Sequence, residues 1–372
     1  LGGQPSDDLG ATRRCLTQLG PVHLGAAFAG RVRSKAQEPL FLDCHESGTT
    51  LRLLIPVVAA LGLPATFTGT GRLPQRPLHD FQDILGGHGV TLRFPDDNTS
   101  LPLGLSGQLT PGRFTVPGHI SSQYLSGLLL ALPLLDGPSE IILTTPLESA
   151  PYVEMTRHTL GEFGVIIEKT QTGYAVQGGQ KFLPVDYTVE KDYSQAAFWL
   201  VANYLGSTVK LIGLPDHTAQ GDRAILPILA SLGNTRPAGQ PAVVDAAQIP
   251  DLVPVLAVAA SLTPGQTRII NGARLRLKES DRLAVTANVL AAVGAQIEVV
   301  GDSLVIEGQT QLQGGRADSA GDHRIAMALA IAGLSSRDGV VIGHSEAVRK
   351  SYPDFFHEFK RLGGDCHELP LG

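Results

Sequence analysis

One phrase recurs along the 372 residues and limits what the chain can fold into: an amphipathic helix that ends in a glycine, often followed by a β-rich run. It occupies Ala11–Gly20, Asp80–Gly89, Met155–Gly164, Ile225–Gly233, Ala284–Gly294 and Asp354–Gly363. The closing glycines at 20, 89, 164, 233, 294 and 363 recur with a period of roughly 70 residues, the mark of a repeated supersecondary unit. A terminal glycine suits a helix C-cap, because a left-handed residue there costs least without a Cβ. The runs Val90–Phe94, Val165–Glu168 and Ala295–Val300 have the β-branched content and partial alternation of strands.

Six units exceed one ordinary core, so two domains of three repeats are expected. The segment Thr170–Asp186, with its Gly178-Gly179 pair, marks the natural boundary; residues 1–180 would form the first domain and 181–372 the second. Each domain would ring its helix-and-sheet units around helices that are apolar nearly all round. Leu51–Leu61, Tyr124–Leu135, Gln195–Leu205, Leu252–Leu262 and Ile325–Leu334 fit that description. Because the first phrase closes at Gly20, roughly 50 residues of its unit are expected to be missing from this sequence.

Composition removes several function classes. A net charge of −6 offers no nucleic-acid footprint, and an aromatic content of 5% weakens base stacking. Cys15, Cys44 and Cys366 are far apart, odd in number and without a C-x-x-C pair, so neither a disulfide framework nor a zinc site is indicated. A reducing cytoplasm is the expected compartment. The apolar stretch Tyr124–Leu135 is too short to span a bilayer.

Chemistry concentrates in short phrases beside the apolar helices. Ser47-Gly48-Thr49 opens one helix and can present free N–H groups to an anion, or act as a plain cap. Arg72 and Arg76, stiffened by Pro74 and Pro77, could clamp a phosphate or carboxylate, or face solvent. Ser121-Ser122-Gln123 can hold phosphate oxygens at a helix start. Ser149 and Tyr152 say little by themselves. In Arg274–Arg282, adjacent Lys278 and Glu279 beside Arg282 could supply a proton donor and an anion anchor, against a reading of local surface ion pairs. Asp251 heads an apolar helix as a general base or a cap. Arg324 and Lys350 bring cations to helix starts, where the dipole disfavours them unless an anion joins.

Together these phrases resemble the EPSP synthase family. The matching strings are Glu46–Arg52, Arg72–Pro77, Ser121–Tyr124, Ser149–Tyr152, Ile249–Asp251, Arg276–Arg282, Asp322–Arg324 and Arg349–Asp354, in family order. The most specific are Leu277–Leu283 and Ser121-Ser122-Gln123. The resemblance implies an α/β (α+β) enolpyruvyl-transferase fold, two domains each of three βαβαββ-type repeats around buried helices. It implies transfer of the carboxyvinyl group of phosphoenolpyruvate to the 5-hydroxyl of shikimate 3-phosphate, with no metal or organic cofactor, in a glyphosate-targeted monomer without nucleic-acid or membrane partners.

Residue by residue, it implies that Asp251 deprotonates the accepting hydroxyl and Glu279 protonates the methylene carbon. Gly48, Arg76, Gln123, Arg282, Arg324 and Lys350 would hold phosphoenolpyruvate. Ser121, Ser122, Gln123, Ser149, Tyr152, Asp251 and Lys278 would hold shikimate 3-phosphate. His45, Glu46 and Arg274 depart from the common pattern, and the N-terminal Lys-Ser-x-x-x-Arg phrase has no counterpart here. Two alternatives are a transferase acting on UDP-N-acetylglucosamine and a non-catalytic truncated homologue.

Overall fold

The structure, a computed structural model, describes residues 5–28, 38–234 and 240–369. The chain divides into two compact units, residues 7–189 and residues from 190 onward.

In the first unit, α1 (Asp7–Phe28) is broken by non-helical backbone at Gly20, φ 68° and ψ 159°. Two complete βαβαββ units follow. One runs β1 (Leu40–Asp43), α2 (Gly48–Ala60), β2 (Ala65–Thr68), α3 (Asp80–Leu85), β3 (Val90–Arg93) and β4 (Leu103–Gly107). The next runs β5 (Arg113–Val116), α4 (Ser122–Ala131), β6 (Ser139–Leu143), α5 (Ala150–Glu162), β7 (Ile167–Lys169) and β8 (Gly173–Val176). Their sheets have the same order, β1-β2-β4-β3 and β5-β6-β8-β7. In each, the first pair is parallel across a helix and the other two pairs are antiparallel.

The second unit opens with α6 (Tyr193–Tyr204) and α7 (Ile225–Leu232). A third complete unit is β9 (Ala242–Asp245), α8 (Val253–Ser261), β10 (Gly265–Ile270), α9 (Arg282–Ala292), β11 (Gln296–Val300) and β12 (Ser303–Gly308), with the sheet order β11-β12-β10-β9. The last phrase gives β13 (Gly315–Asp318), α10 (His323–Gly333), β14 (Val340–Gly343) and α11 (Phe355–Arg361), with a two-stranded parallel sheet.

The expected left-handed closure holds at Gly89, Gly164, Gly294 and Gly363, all with positive φ. Gly233 differs: it is right-handed, φ −72°, so the turn after α7 does not need a glycine.

The apolar helices are the cores. In the first unit α2 packs on α4, and α4 on α5. In the second, α6, α8 and α10 pack on one another, and all nine residues of α8 are buried. Each fully buried Leu, Ile or Val side chain contributes about 1.5–3 kcal/mol over exposure. This packing fixes where the helices begin, and the charged phrases lie at those beginnings.

Candidate functional site

In the first unit the site is built on three helix starts. Ser47 caps α2, its Oγ accepting from the Thr50 N–H at 3.2 Å, which leaves Gly48 as the first helical residue. A Cβ placed on Gly48 would lie 2.6 Å from an Arg76 guanidinium nitrogen and 2.7 Å from one of Arg52. Two guanidinium groups thus sit against backbone that has no side chain of its own. Arg52 is 4% exposed and donates to Gln123 Oε1 at 3.1 Å and to the Pro77 carbonyl at 3.3 Å. Tyr124 donates to the same carbonyl at 2.8 Å, and burial pushes its pKa up to about 12. Arg76 follows the short 3-10 turn 73–75, and its carbonyl accepts from Ser100 Oγ at 2.8 Å.

Ser121 caps α4, accepting from the Gln123 N–H, while Gln123 Nε2 donates to Thr49 Oγ1 at 2.7 Å. Gln123 therefore ties the start of α4 to the start of α2. Ser149, at φ 53° and buried, precedes α5, and its carbonyl accepts from the Tyr152 N–H. The preceding loops are joined, because Glu148 N–H donates to Gly118 and His119 N–H to Thr145 Oγ1. The structure thus gathers Gly48, Arg76, Ser121 and Gln123, with Ser122 buried beneath and Ser149 and Tyr152 on the adjoining helix start. His45, at φ 52°, and Glu46 lie in the turn before Ser47, Glu46 packing on Gly71.

In the second unit the starts of α6, α8 and α10 each carry an aspartate. Asp192 caps α6, accepting from the Ser194 N–H at 2.7 Å, and Asp322 caps α10, accepting from the Arg324 N–H at 3.0 Å. Asp251 lies in the 3-10 turn leading into α8. A carboxylate at each N-terminus complements the helix dipole and satisfies otherwise orphaned donors.

Arg282, only 1% exposed, is the hub. It donates to Asp251 Oδ1 at 2.7 Å, Glu279 Oε2 at 2.6 Å, and both Asp322 oxygens at 3.0 and 3.2 Å. Lys278 Nζ donates to Asp251 Oδ1 at 3.2 Å, and Ser280 Oγ to Asp322 Oδ2 at 3.0 Å. Arg324 donates to the Asp251 carbonyl at 3.3 Å and lies 3.5 Å from Asp251 Oδ2. Lys350 Nζ donates to the Gly321 carbonyl at 2.8 Å, the residue before Asp322. Asp251, Lys278, Glu279, Arg282 and Arg324 are thereby one connected network, with Lys350 on the loop beside it.

The titrations follow from this packing. Burial opposes the charge on Asp251, yet Arg324, Lys278 and Arg282 hold its carboxyl well below the usual range. Burial lowers Lys278 despite the attraction of Asp251, which makes it readier than an ordinary lysine to release a proton. Burial raises Asp222 to about 6, with Asp251 adding to the rise, and pushes His323 down to about 4. Burial also raises Asp192. Clustered shifts of this kind mark a site prepared for charge or proton movement.

The sequence reading passed over Arg52, Asp192, Asp222 and Asp322 as site members. A signal was available: Asp192, Asp251 and Asp322 each stand just ahead of an apolar helix, the same phrase three times. Among the described residues, no group of three or more His, Cys, Asp or Glu side chains could hold a metal. Among them, too, no helix is long and apolar enough to cross a membrane.

Comparison with known proteins gives these features a context. The family model described as EPSP synthase (3-phosphoshikimate 1-carboxyvinyltransferase) matches residues 4–359. A 3-phosphoshikimate 1-carboxyvinyltransferase from Clostridium novyi is 44% identical over 343 residues, covering 89% of this chain and 78% of that protein. One of the same name from Clostridium kluyveri is 41% identical, covering 99% and 89%. Among solved structures, an EPSP synthase from Acinetobacter baumannii superposes with a TM-score of 0.74 at 24% identity, covering 98% of this chain and 89% of that one. The enolpyruvyl transferase NikO from Streptomyces tendae gives 0.63 at 20% identity, covering 85% and 76%. These two likenesses concern the fold, and they place it with the enolpyruvyl transferases.

Proposed function

Because the chain belongs to the EPSP synthase family, we propose that Asp251 and Glu279 carry the proton transfers of its reaction. The enzyme transfers the carboxyvinyl group of phosphoenolpyruvate to the 5-hydroxyl of shikimate 3-phosphate, giving 5-enolpyruvylshikimate 3-phosphate and phosphate. The relatives do not favour UDP-N-acetylglucosamine as the acceptor.

The observation that carries the residue assignment is the connected network of Asp251, Lys278, Glu279, Arg282 and Arg324. In our reading Asp251 accepts the proton of the 5-hydroxyl as its oxygen attacks C2 of phosphoenolpyruvate. Glu279, in its acid form, gives a proton to C3. The tetrahedral adduct then collapses: Glu279 takes a proton back from C3, the double bond reforms, and phosphate leaves as hydrogen phosphate, taking up the proton that Asp251 removed from the hydroxyl. Arg282, bonded to both carboxylates, fixes their separation and orientation.

Asp251 held by three cations is fully ionised but weakly basic. Two anionic substrates would compete for Lys278 and Arg324, and Asp251 would gain basicity as those cations turn to phosphate and carboxylate oxygens. Lys278 is assigned to shikimate 3-phosphate; Arg324, Lys350 and Arg282 are assigned to phosphoenolpyruvate. In the first unit, Gly48, Arg76 and Gln123 are assigned to phosphoenolpyruvate, and Ser121, Ser122, Gln123, Ser149 and Tyr152 to shikimate 3-phosphate. A cytoplasmic location, supported by free cysteines and small soluble substrates, and the monomeric state implied by the family resemblance complete the proposal.

The test is phosphate release from phosphoenolpyruvate, with and without shikimate 3-phosphate, in this chain and in Asp251→Ala. Release that requires shikimate 3-phosphate and falls by at least about a hundredfold in the variant is expected. Undiminished release in Asp251→Ala would remove that residue from the mechanism.

A further inference from the structure

Helix α6 enters the site above only through its cap, Asp192, yet its first turn reaches further. Gln195 and Trp199 stand four residues apart on α6, hence on one face. Gln195 Nε2 donates to the carbonyl of Ser351 at 2.9 Å, across 156 residues of sequence. Trp199 Nε1 reaches the Tyr352 hydroxyl at 3.4 Å, and its ring stacks on Phe355 of α11 with centroids 5.3 Å apart. One face of α6 thus grips the chain immediately after Lys350.

Lys350 closes the 3-10 turn Ser345–Lys350, in which Ala347 and Val348 are buried while Lys350 is only half-buried. Ser351 leaves that turn at φ −133° and ψ −32°. The Ser351 and Tyr352 N–H groups both donate back to the Val348 carbonyl, at 3.2 and 2.7 Å. The Ser351 carbonyl instead meets the amide of Gln195. On the other side, Lys350 Nζ donates to the Gly321 carbonyl at 2.8 Å. The ammonium and the backbone beneath it are therefore held by different elements, the loop before α10 and the first turn of α6.

We propose that Gln195 is a positioning residue for Lys350: its amide clamps the peptide after Lys350 and so sets where the ammonium stands for phosphoenolpyruvate. A lysine carries its charge on a flexible four-carbon stem, so its aim depends on where the stem is rooted. A short 3-10 turn, with poorer hydrogen-bond geometry than an α-helix, roots it weakly on its own. An uncharged amide suits the task, because it donates to the carbonyl without neutralising Lys350 as a carboxylate there would. Ordering the root beforehand lowers the entropic cost of fixing the side chain on an anion. Loss of Gln195 weakens the hold on phosphoenolpyruvate and leaves the proton transfers alone. The kinetic part rests on the assignment of Lys350 to phosphoenolpyruvate made above; the clamp itself does not.

The test uses the whole chain and Gln195→Met, which keeps the reach of the side chain and removes its donor. Trace acetylation with acetic anhydride, mapped by mass spectrometry, reads the clamp, with exposed Lys210 as internal reference. Labelling of Lys350 relative to Lys210 should rise about fivefold in the variant, the order of one lost hydrogen bond. An unchanged ratio would overturn the clamp. KM for phosphoenolpyruvate should rise by a similar factor, with kcat and KM for shikimate 3-phosphate unchanged. In Lys350→Met that KM should rise on the order of a hundredfold, and adding Gln195→Met should change nothing more. A further fivefold rise in the double variant would overturn the route through Lys350. So would an equal rise in both KM values, the mark of a general loosening of the unit. If Lys350→Met leaves KM unchanged, the assignment of Lys350 to phosphoenolpyruvate falls, and the labelling ratio still decides the clamp.

Discussion

Arg52 and Arg282 are both nearly sealed from water, at 4% and 1% exposure, yet they rest on different kinds of partner. Arg52 meets neutral oxygens of Gln123 and Pro77; Arg282 meets the carboxylates of Asp251, Glu279 and Asp322. The first unit organises its site with caps, an amide bridge and hydroxyls. The second does so with buried ion pairs at three helix starts. The difference teaches where pH acts. Shifts at Asp192, Asp222, Asp251, Lys278, Asp322 and His323 all belong to the second unit, whereas the site of the first carries its shift on Tyr124, raised to about 12 and silent at neutral pH.

The strongest challenge to this comparison is Asp322→Ala. It strips a buried carboxylate from Arg282, Ser280 and the α10 cap together. A loss of about 3–5 kcal/mol is expected in chemical denaturation of the second unit. A loss below 1 kcal/mol would mean that the ion pairs there are no more costly to break than neutral contacts.

Asp222→Asn should act in the opposite direction. The folded-state pKa of Asp222 is raised from 3.8 to about 6, so folding binds a proton between those values. Its contribution is fully present below pH 3.8 and is lost as pH rises through 6, which leaves a burial penalty at neutral pH. The variant is expected to be more stable than the parent by about 2 kcal/mol at pH 7.5, with the gain gone by pH 4. Thermal melts across that range would show it, and a pH-independent effect would contradict the assignment. His323 tilts the same unit the other way. Its pKa is depressed from 6.5 to about 4, so its neutral-form stability is lost as pH falls through that window.

Gly48→Ala tests the first unit. The new Cβ would displace the Arg52 and Arg76 guanidinium groups, which are flexible ends, so the fold should survive. KM for phosphoenolpyruvate should rise on the order of tenfold, about 1.4 kcal/mol, with melting nearly unchanged. The smallest effect belongs to Ser121→Ala, which removes the α4 cap at about 1 kcal/mol. That cost should not vary between pH 5 and 8, and a strong pH dependence would break the distinction between the two units.

Much of this was legible in the residues. The helix-glycine phrase marks the repeat, because glycine at a left-handed closure and β-branched residues after it are local requirements; the βαβαββ unit came from the family resemblance, and three such units are complete among the described residues. Gly233 misled, since a glycine letter does not reveal φ. Thr208-Val209-Lys210-Leu211-Ile212 has strand-like composition but no assigned strand, a reminder that pairing needs a partner edge as well as propensity. Within Arg274–Arg282 the residues divide between surface and interior. Arg276 makes the local surface pair with Asp281 at 3.4 Å, while Lys278, Glu279 and Arg282 turn inward. The 3-10 turn at 273–277 and the extended backbone of Lys278 decide which is which, and composition does not carry that information. The hub itself was hidden because Asp251 and Asp322 reach the local pair of Glu279 and Arg282 only through tertiary packing.

That sharing of one guanidinium among three acids bears on how such a protein can diverge. Replacing Asp251, Glu279 or Asp322 alone changes what Arg282 does for the other two, so the effects of single changes will not sum. A change at one of the three acids is therefore expected to be tolerated best when a second change gives Arg282 another counter-charge.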